Sequence, residues 1–170
     1  MKARIEFRNA NPKIMPLLLA IESYLRNSSL DARLLNLIDV RASQINGCAH
    51  CLDMHSKDAR SEGETEQRLY ALEAWRETPF FGERERAALA WTEAVTGVAD
   101  GHVPNDVYEE ARQRFSEQEL VDLTLAVASI NTWNRLNIAF RTVPGSYRAG
   151  QVKTWLAAIE RPAERRSPAA

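Results

Sequence analysis

Ser116-Glu117-Gln118-Glu119, followed by Leu120 to Ile130, most limits how this chain can fold. A serine at the cap with glutamate three residues on is the capping-box pattern, in which each side chain satisfies a free backbone N–H of a helix start. The run behind it is apolar nearly all round, so a helix there needs neighbours on most of its sides. No stretch of the chain reads as a strand ladder, so those neighbours must be other helices. The expected architecture is all-α, helices packed on helices.

Helical punctuation elsewhere agrees. Asn11-Pro12 opens a helix to about Arg26, with Pro16 still near its first turn. Ser29 or Asp31 can cap a second, in which Leu34, Leu35, Ile38, Arg41, Ala42 and Ile45 follow the helical period and Gly47 ends it. A third runs from near Cys48 to Gly63, and a fourth from Thr65 carries Leu69, Leu72 and Trp75. A fifth, from about Glu83 to Gly97, puts Trp91, Ala94, Val95 and Val98 on one side. A sixth starts at Pro104 and uses Val107, Tyr108, Ala111 and Phe115. The capped apolar helix runs on toward Pro144-Gly145, and a shorter one lies around Val152–Ile159.

A chain of 170 residues suits one domain with a sizeable core. Residues 1–161 are expected to form it, with 162–170 as a frayed, disordered tail of Arg, Pro, Ser and Ala. A net charge of −1 gives no field to draw nucleic acid or an anionic membrane, so neither is expected as a partner. No run of about 20 apolar residues is present to span a bilayer. The first residues, Met-Lys-Ala-Arg-Ile-Glu-Phe-Arg, lack the apolar core of a signal peptide. The expectation is a cytoplasmic protein, whose cysteines sit in a reducing compartment.

Both cysteines and two of the three histidines lie in Cys48-Ala49-His50-Cys51-Leu52-Asp53-Met54-His55. On a helix turning about 100° per residue, Cys48, Cys51 and His55 share an arc of about 60°. His50 and Asp53 point elsewhere; His50 reads as a surface or interface residue and Asp53 as surface charge. Two thiols one turn apart can close into a disulfide. The helix N-terminus favours a thiolate at Cys48, and His55, four residues beyond Cys51, can act as its base. One cysteine attacks and the other resolves, and the spacing leaves open which does which. A zinc site is the competing reading, but closed structural zinc wants four ligands and no second ligand cluster exists. Two inert thiols packed as small hydrophobes are another. A thioredoxin-type motif lacks its βαβ setting. No cofactor and no metal is implied.

Beyond the two cysteines, Arg41-Ala42-Ser43-Gln44-Ile45-Asn46-Gly47-Cys48-Ala49-His50-Cys51 with Met54-His55 resembles the alkylhydroperoxidase D-like branch of the carboxymuconolactone decarboxylase family. Leu125 to Arg135, with Ile130-Asn131-Thr132-Trp133-Asn134-Arg135, is similar to the family's later helix. The resemblance implies an all-helical homo-oligomer, a trimer or hexamer, whose redox members reduce hydroperoxides through the CxxC pair. It implies that Cys51 is the peroxidatic residue, Cys48 the proton donor and resolving thiol, and His55 part of a proton relay. The family relay also uses a glutamate twelve residues before the first cysteine, where this chain has Asn36. An amide cannot take that proton.

Glu93 is the first candidate for a relocated acid, weighed against a solvent-facing glutamate on an amphipathic helix, with Asp39 and Glu22 behind it. Trp75, Trp91, Trp133 and Phe80-Phe81 line either a pocket or the core. Asn131, Asn134 and Arg135 can hold their helix to a neighbour or to a second subunit. The function expected is a thiol-dependent peroxidase that takes an organic hydroperoxide, or another small oxidant, and a thiol or dithiol reductant. The alternatives are an oxidant sensor, a disulfide reductase, or a lyase of the carboxymuconolactone decarboxylase type.

Overall fold

A computed structural model describes residues 2–160, and every regular element among them is helical. The tail expected at 162–170 lies outside the described residues. A single turn, α1 (Phe7–Ala10), precedes α2 (Ile14–Arg26), α3 (Ala32–Asn46) and α4 (Ala49–Ser61). Next come α5 (Glu66–Ala71), which tightens into a 3₁₀ segment over Leu72–Glu77, then α6 (Glu83–Thr96) and the short α7 (Val98–Gly101). The chain continues through α8 (Asn105–Arg114), the long α9 (Glu117–Phe140) and α10 (Gln151–Glu160).

The expected caps are in place. Asp31 accepts the Leu34 N–H at 2.9 Å at the head of α3, and Ser116 and Glu119 close the capping box of α9. Gly47 ends α3 at φ 67°, a conformation glycine adopts without strain. Its N–H reaches the Gln44 carbonyl at 3.1 Å, and the Cys48 N–H reaches the Ser43 carbonyl at 3.0 Å. This double closure turns the chain so sharply that Gly47 ends α3 and the very next residue, Cys48, caps α4.

Helices α3, α6 and α9 pack on one another around Leu34, Leu35, Ile38, Ala88, Leu123 and Val127. A second layer of core, with Leu37, Val40, Leu72, Trp75, Phe81 and Leu89, lies between α3, α6 and the α5 region. Trp75, Phe81 and Trp91 are core residues; Trp133 is half-buried at the site described below. Asn46 donates to the side-chain oxygens of both Asn131 (3.0 Å) and Asn134 (2.8 Å), and Asn134 donates to Ser43 (3.0 Å). Arg135 donates to the Asn131 side chain at 2.7 Å, so these polar groups fasten α9 to α3 within the chain.

Three expectations change. The helix at 117–140 is not enclosed all round: Val121 is exposed and borders an open groove with Trp91, Tyr108 and Leu125. Val98 does not extend the α6 face, because α6 stops at Thr96 and Val98 starts a separate exposed turn. Finally, α9 ends at Phe140, with Arg141 in the left-handed region, rather than at Pro144-Gly145.

Segment 144–152 then folds back over α4. Asp53, expected as free surface charge, accepts the Gly145 N–H at 2.9 Å and pairs with Lys57 at 2.7 Å. Asp58 accepts from the Tyr147 hydroxyl (2.7 Å) and the Gly150 N–H (2.8 Å). These ties seat α10 on α2 through Leu19, Val152 and Leu156.

Candidate active site

The two cysteines are joined as a disulfide at the N-terminus of α4, with Cα atoms 5.3 Å apart. Cys48, as the capping residue, accepts the Cys51 N–H on its Sγ at 3.3 Å. That bond, with the positive end of the α4 dipole, favours negative charge on sulfur when the pair is reduced. On the far side, Asn137 of α9 donates its Nδ2 hydrogen toward Cys51 Sγ at 3.5 Å. The sulfur of Cys51 therefore has an amide donor fixed beside it.

Both cysteines are buried, between two hollows. One is an open cleft at the protein surface bordered by Gly47, Cys48, His50, Asn137, Arg141 and Pro144. The other is a narrower cavity beneath α10 that includes Arg8, Arg26, His50, His55, Trp133 and Asn137. His50 and Asn137 line both, so they form the wall beside the disulfide. His50 is thus buried rather than on the surface as expected, because segment 143–155 and α1 return across the side of α4 that it occupies.

His55, one turn beyond Cys51, is buried, and its ring nitrogens hydrogen-bond to neither sulfur in this oxidised state. Its Nδ1 lies 3.3 Å from Oδ2 of Asp39 on α3. Burial, helped by the positive charges of Arg26 and a protonated His50, pushes the His55 imidazole down to about 3. Burial, helped by the charge of Glu22, pushes the Asp39 carboxyl well above its ordinary range. Both shifts disfavour the charged forms of the two groups.

The other acids fall into place around this pair. Asn36, where the resemblance implies a relay glutamate, is buried and donates to Glu62 at 2.6 Å. Glu62 also pairs with Lys153 at 3.0 Å. Asp39 follows Asn36 by one helical turn, so α3 still presents a carboxyl group to α4, three residues later in sequence. Glu22 lines the cavity and accepts from Ser129 (2.7 Å) and the Trp133 indole (3.0 Å) on one oxygen. Glu93 is held elsewhere. It accepts from Arg41 (2.9 Å), Trp75 (2.8 Å) and Arg76, and has no hydrogen bond or ion pair to Cys48, Cys51 or His55. Although burial works against it, these donors hold its carboxyl below the ordinary range.

Asn137 and Arg26 carry no signal in a CxxC-centred reading. Asn137 could have been found from the spacing Asn134–Asn137, one turn apart on a buried helix. Among the described residues, no three His, Cys, Asp or Glu side chains are grouped to hold a metal ion, and no helix is long and apolar enough to cross a membrane.

Comparison with known proteins agrees with this architecture. The model of the Carboxymuconolactone decarboxylase family matches residues 12–94. The uncharacterized protein YdfG of Bacillus subtilis (strain 168) is 42% identical over 139 residues, covering 82% of this chain and 95% of YdfG. A solved structure from Agrobacterium tumefaciens, a protein of unknown function named as a candidate antioxidant defence protein AhpD, is 42% identical. It superposes with a TM-score of 0.83 over 86% of this chain and 100% of that one. The fold is shared by the debrominase Bmp8 bound to 2,3,4-tribromopyrrole, at 20% identity and a TM-score of 0.73, over 89% of this chain and 79% of that one. The chain belongs to the carboxymuconolactone decarboxylase family and has its AhpD-like helical fold.

Proposed function

We propose that this protein is a thiol-dependent peroxidase that reduces organic hydroperoxides through Cys48 and Cys51. The observation that carries the reading is the pair itself: two cysteines joined at a helix N-terminus, with the Asn137 amide on Cys51 Sγ. That donor and the helix dipole both stabilise the thiolate that attack requires.

In the reduced protein the Cys51 thiolate attacks the terminal oxygen of the hydroperoxide. The S–O bond forms as the O–O bond breaks, and the leaving alkoxide takes a proton and departs as alcohol. The Cys48 thiol then attacks the Cys51 sulfur, forming the disulfide, and the sulfenic oxygen leaves with a proton as water. The sum is one hydroperoxide and two thiols giving one alcohol, one water and one disulfide. An external dithiol restores the pair by exchange, entering from the open cleft at Cys48.

The protons pass through the buried pair behind the cysteines. His55 passes a proton between the Cys51 side of α4 and Asp39, which is the acid of this relay in place of a carboxylate at position 36. An imidazole and a carboxyl in contact can relay a proton in concert, the ring taking one as it passes another on, so that neither is left with a bare buried charge.

The test is consumption of cumene hydroperoxide under excess dithiol by wild type and Cys51→Ser. Many turnovers by wild type and none by the variant support the reading. A single equivalent consumed by both overturns it.

A further inference from the structure

The cavity beneath α10 holds two guanidinium groups that have no ion-pair partner among the described residues. Arg8, from α1, stacks over the Trp155 ring at 5.2 Å, and Arg26 sits at the end of α2. The Nε atoms of both are buried without a hydrogen-bond acceptor, and neither arginine is within 4 Å of a carboxylate among the described residues.

The neighbouring acids are each engaged through at least one oxygen. One Glu22 oxygen serves Ser129 and Trp133, Asp58 serves Tyr147 and Gly150, and Asp39 faces His55. An Nε–H held out of water without an acceptor is costly unless something recovers the lost hydration. A planar fork of donors matches the paired oxygens of a carboxylate, as it does those of a phosphate. Leu19, Met54, Trp133, Val152 and Trp155 supply an apolar lining beside this charge. Asn137 lines the same cavity and also touches Cys51 Sγ, so a ligand here would end within one side chain of the reacting sulfur.

We propose that this cavity is a carboxylate subsite, with Arg26 and Arg8 gripping the anionic end of the substrate and directing its other end toward Cys51. The identity of the reacting group rests on the peroxidase reading above: the substrate is then an organic hydroperoxide carrying a carboxylate. The guanidinium grip itself does not depend on that reading.

Two measurements separate the claims. Calorimetric titration of the wild-type protein with benzoate and with benzamide, which share one shape and differ in charge, tests the grip without any chemistry. Benzoate binding at least tenfold tighter, with the preference lost in Arg26→Gln and partly kept in Arg26→Lys, supports it. Equal binding, tighter benzamide binding, or a preference unchanged in both Arg26→Gln and Arg8→Gln overturns it. The wild-type comparison stands even if the variants fold poorly. Turnover of cumene hydroperoxide and its para-carboxylate then tests the substrate class. A tenfold higher kcat/KM for the carboxylate, falling toward unity in Arg26→Gln, supports it, and equal values overturn it. If neither hydroperoxide is consumed while benzoate still binds through Arg26, the peroxidase reading fails and the anion grip stands.

Discussion

Oδ2 of Asp39 lies 3.3 Å from Nδ1 of His55, both side chains buried between α3 and α4. This contact changes where the acid of the site should be sought. Asn36 carries the amide where the family relay has glutamate, and Asp39 follows it by one helical turn. A carboxyl on α3 thus faces the α4 imidazole from the turn after Asn36.

Asp39→Asn is expected to cost about 100-fold in kcat/KM near neutral pH, in the usual range for losing one proton-transfer partner. Steady-state peroxidase assays from pH 5 to 9 check this. A loss of less than threefold across that range means Asp39 takes no part in the relay.

The same pair makes stability depend on pH with two opposing signs. The unfolded chain protonates His55 near pH 6.5, whereas the folded one resists until about pH 3. This contribution is present above pH 6.5 and is lost as pH falls toward 3. Asp39 does the reverse: its raised value favours the fold at low pH, and that contribution is lost as pH rises through it. His55→Gln should therefore flatten the acid-side loss, and Asp39→Asn should steepen it. Urea midpoints at pH 4, 5, 6 and 7 read both slopes.

Glu93 should matter to stability rather than to chemistry. Glu93→Ala leaves Arg41 and the Trp75 indole without their shared acceptor, at a cost of about 1–3 kcal/mol. Denaturant unfolding measures that loss. Specific activity per folded molecule at 15 °C within twofold of wild type would show that the carboxylate serves the fold alone.

Tyr147→Phe removes the hydroxyl that ties segment 144–152 to Asp58. The expected loss is about 1–2 kcal/mol, with one Asp58 oxygen left unpaired. Amide exchange should rise over 145–156 and remain slow in α3 and α9, since α10 rests on α2 through few apolar side chains. Uniform protection in the variant would mean that the apolar contacts alone hold α10.

Gly47→Ala tests the corner that sets the cysteines in place. A Cβ at Gly47 meets no atom within 4 Å, so the penalty is that of the left-handed backbone alone, about 1–2 kcal/mol. Thermal unfolding of the two proteins measures it.

Much of this was legible from local signals. Asp31, Gly47 and the Ser116–Glu119 box mark helix ends through backbone groups a few residues away, so the sequence window contains the whole cause. The arc of Cys48, Cys51 and His55 is equally local. Asp39 against His55 is not, because it depends on how α3 crosses α4, and a single helix pattern carries no information on that crossing. Glu93 looked suitable because its neighbours in sequence are apolar; Arg41 and Arg76, which hold it, come from other elements. The burial of His50 is equally non-local, since the chain that covers it arrives almost a hundred residues later.

The central claim is that Cys48 and Cys51 together reduce a hydroperoxide. The most direct measurement mixes the fully reduced protein with one equivalent of cumene hydroperoxide and follows thiol content and intact mass. The account predicts loss of both thiols and of two mass units, with a 48–51 link in the peptide map. Cys48→Ser should instead gain one oxygen on Cys51. Unchanged thiols after the hydroperoxide has been consumed, or with none consumed, would contradict it.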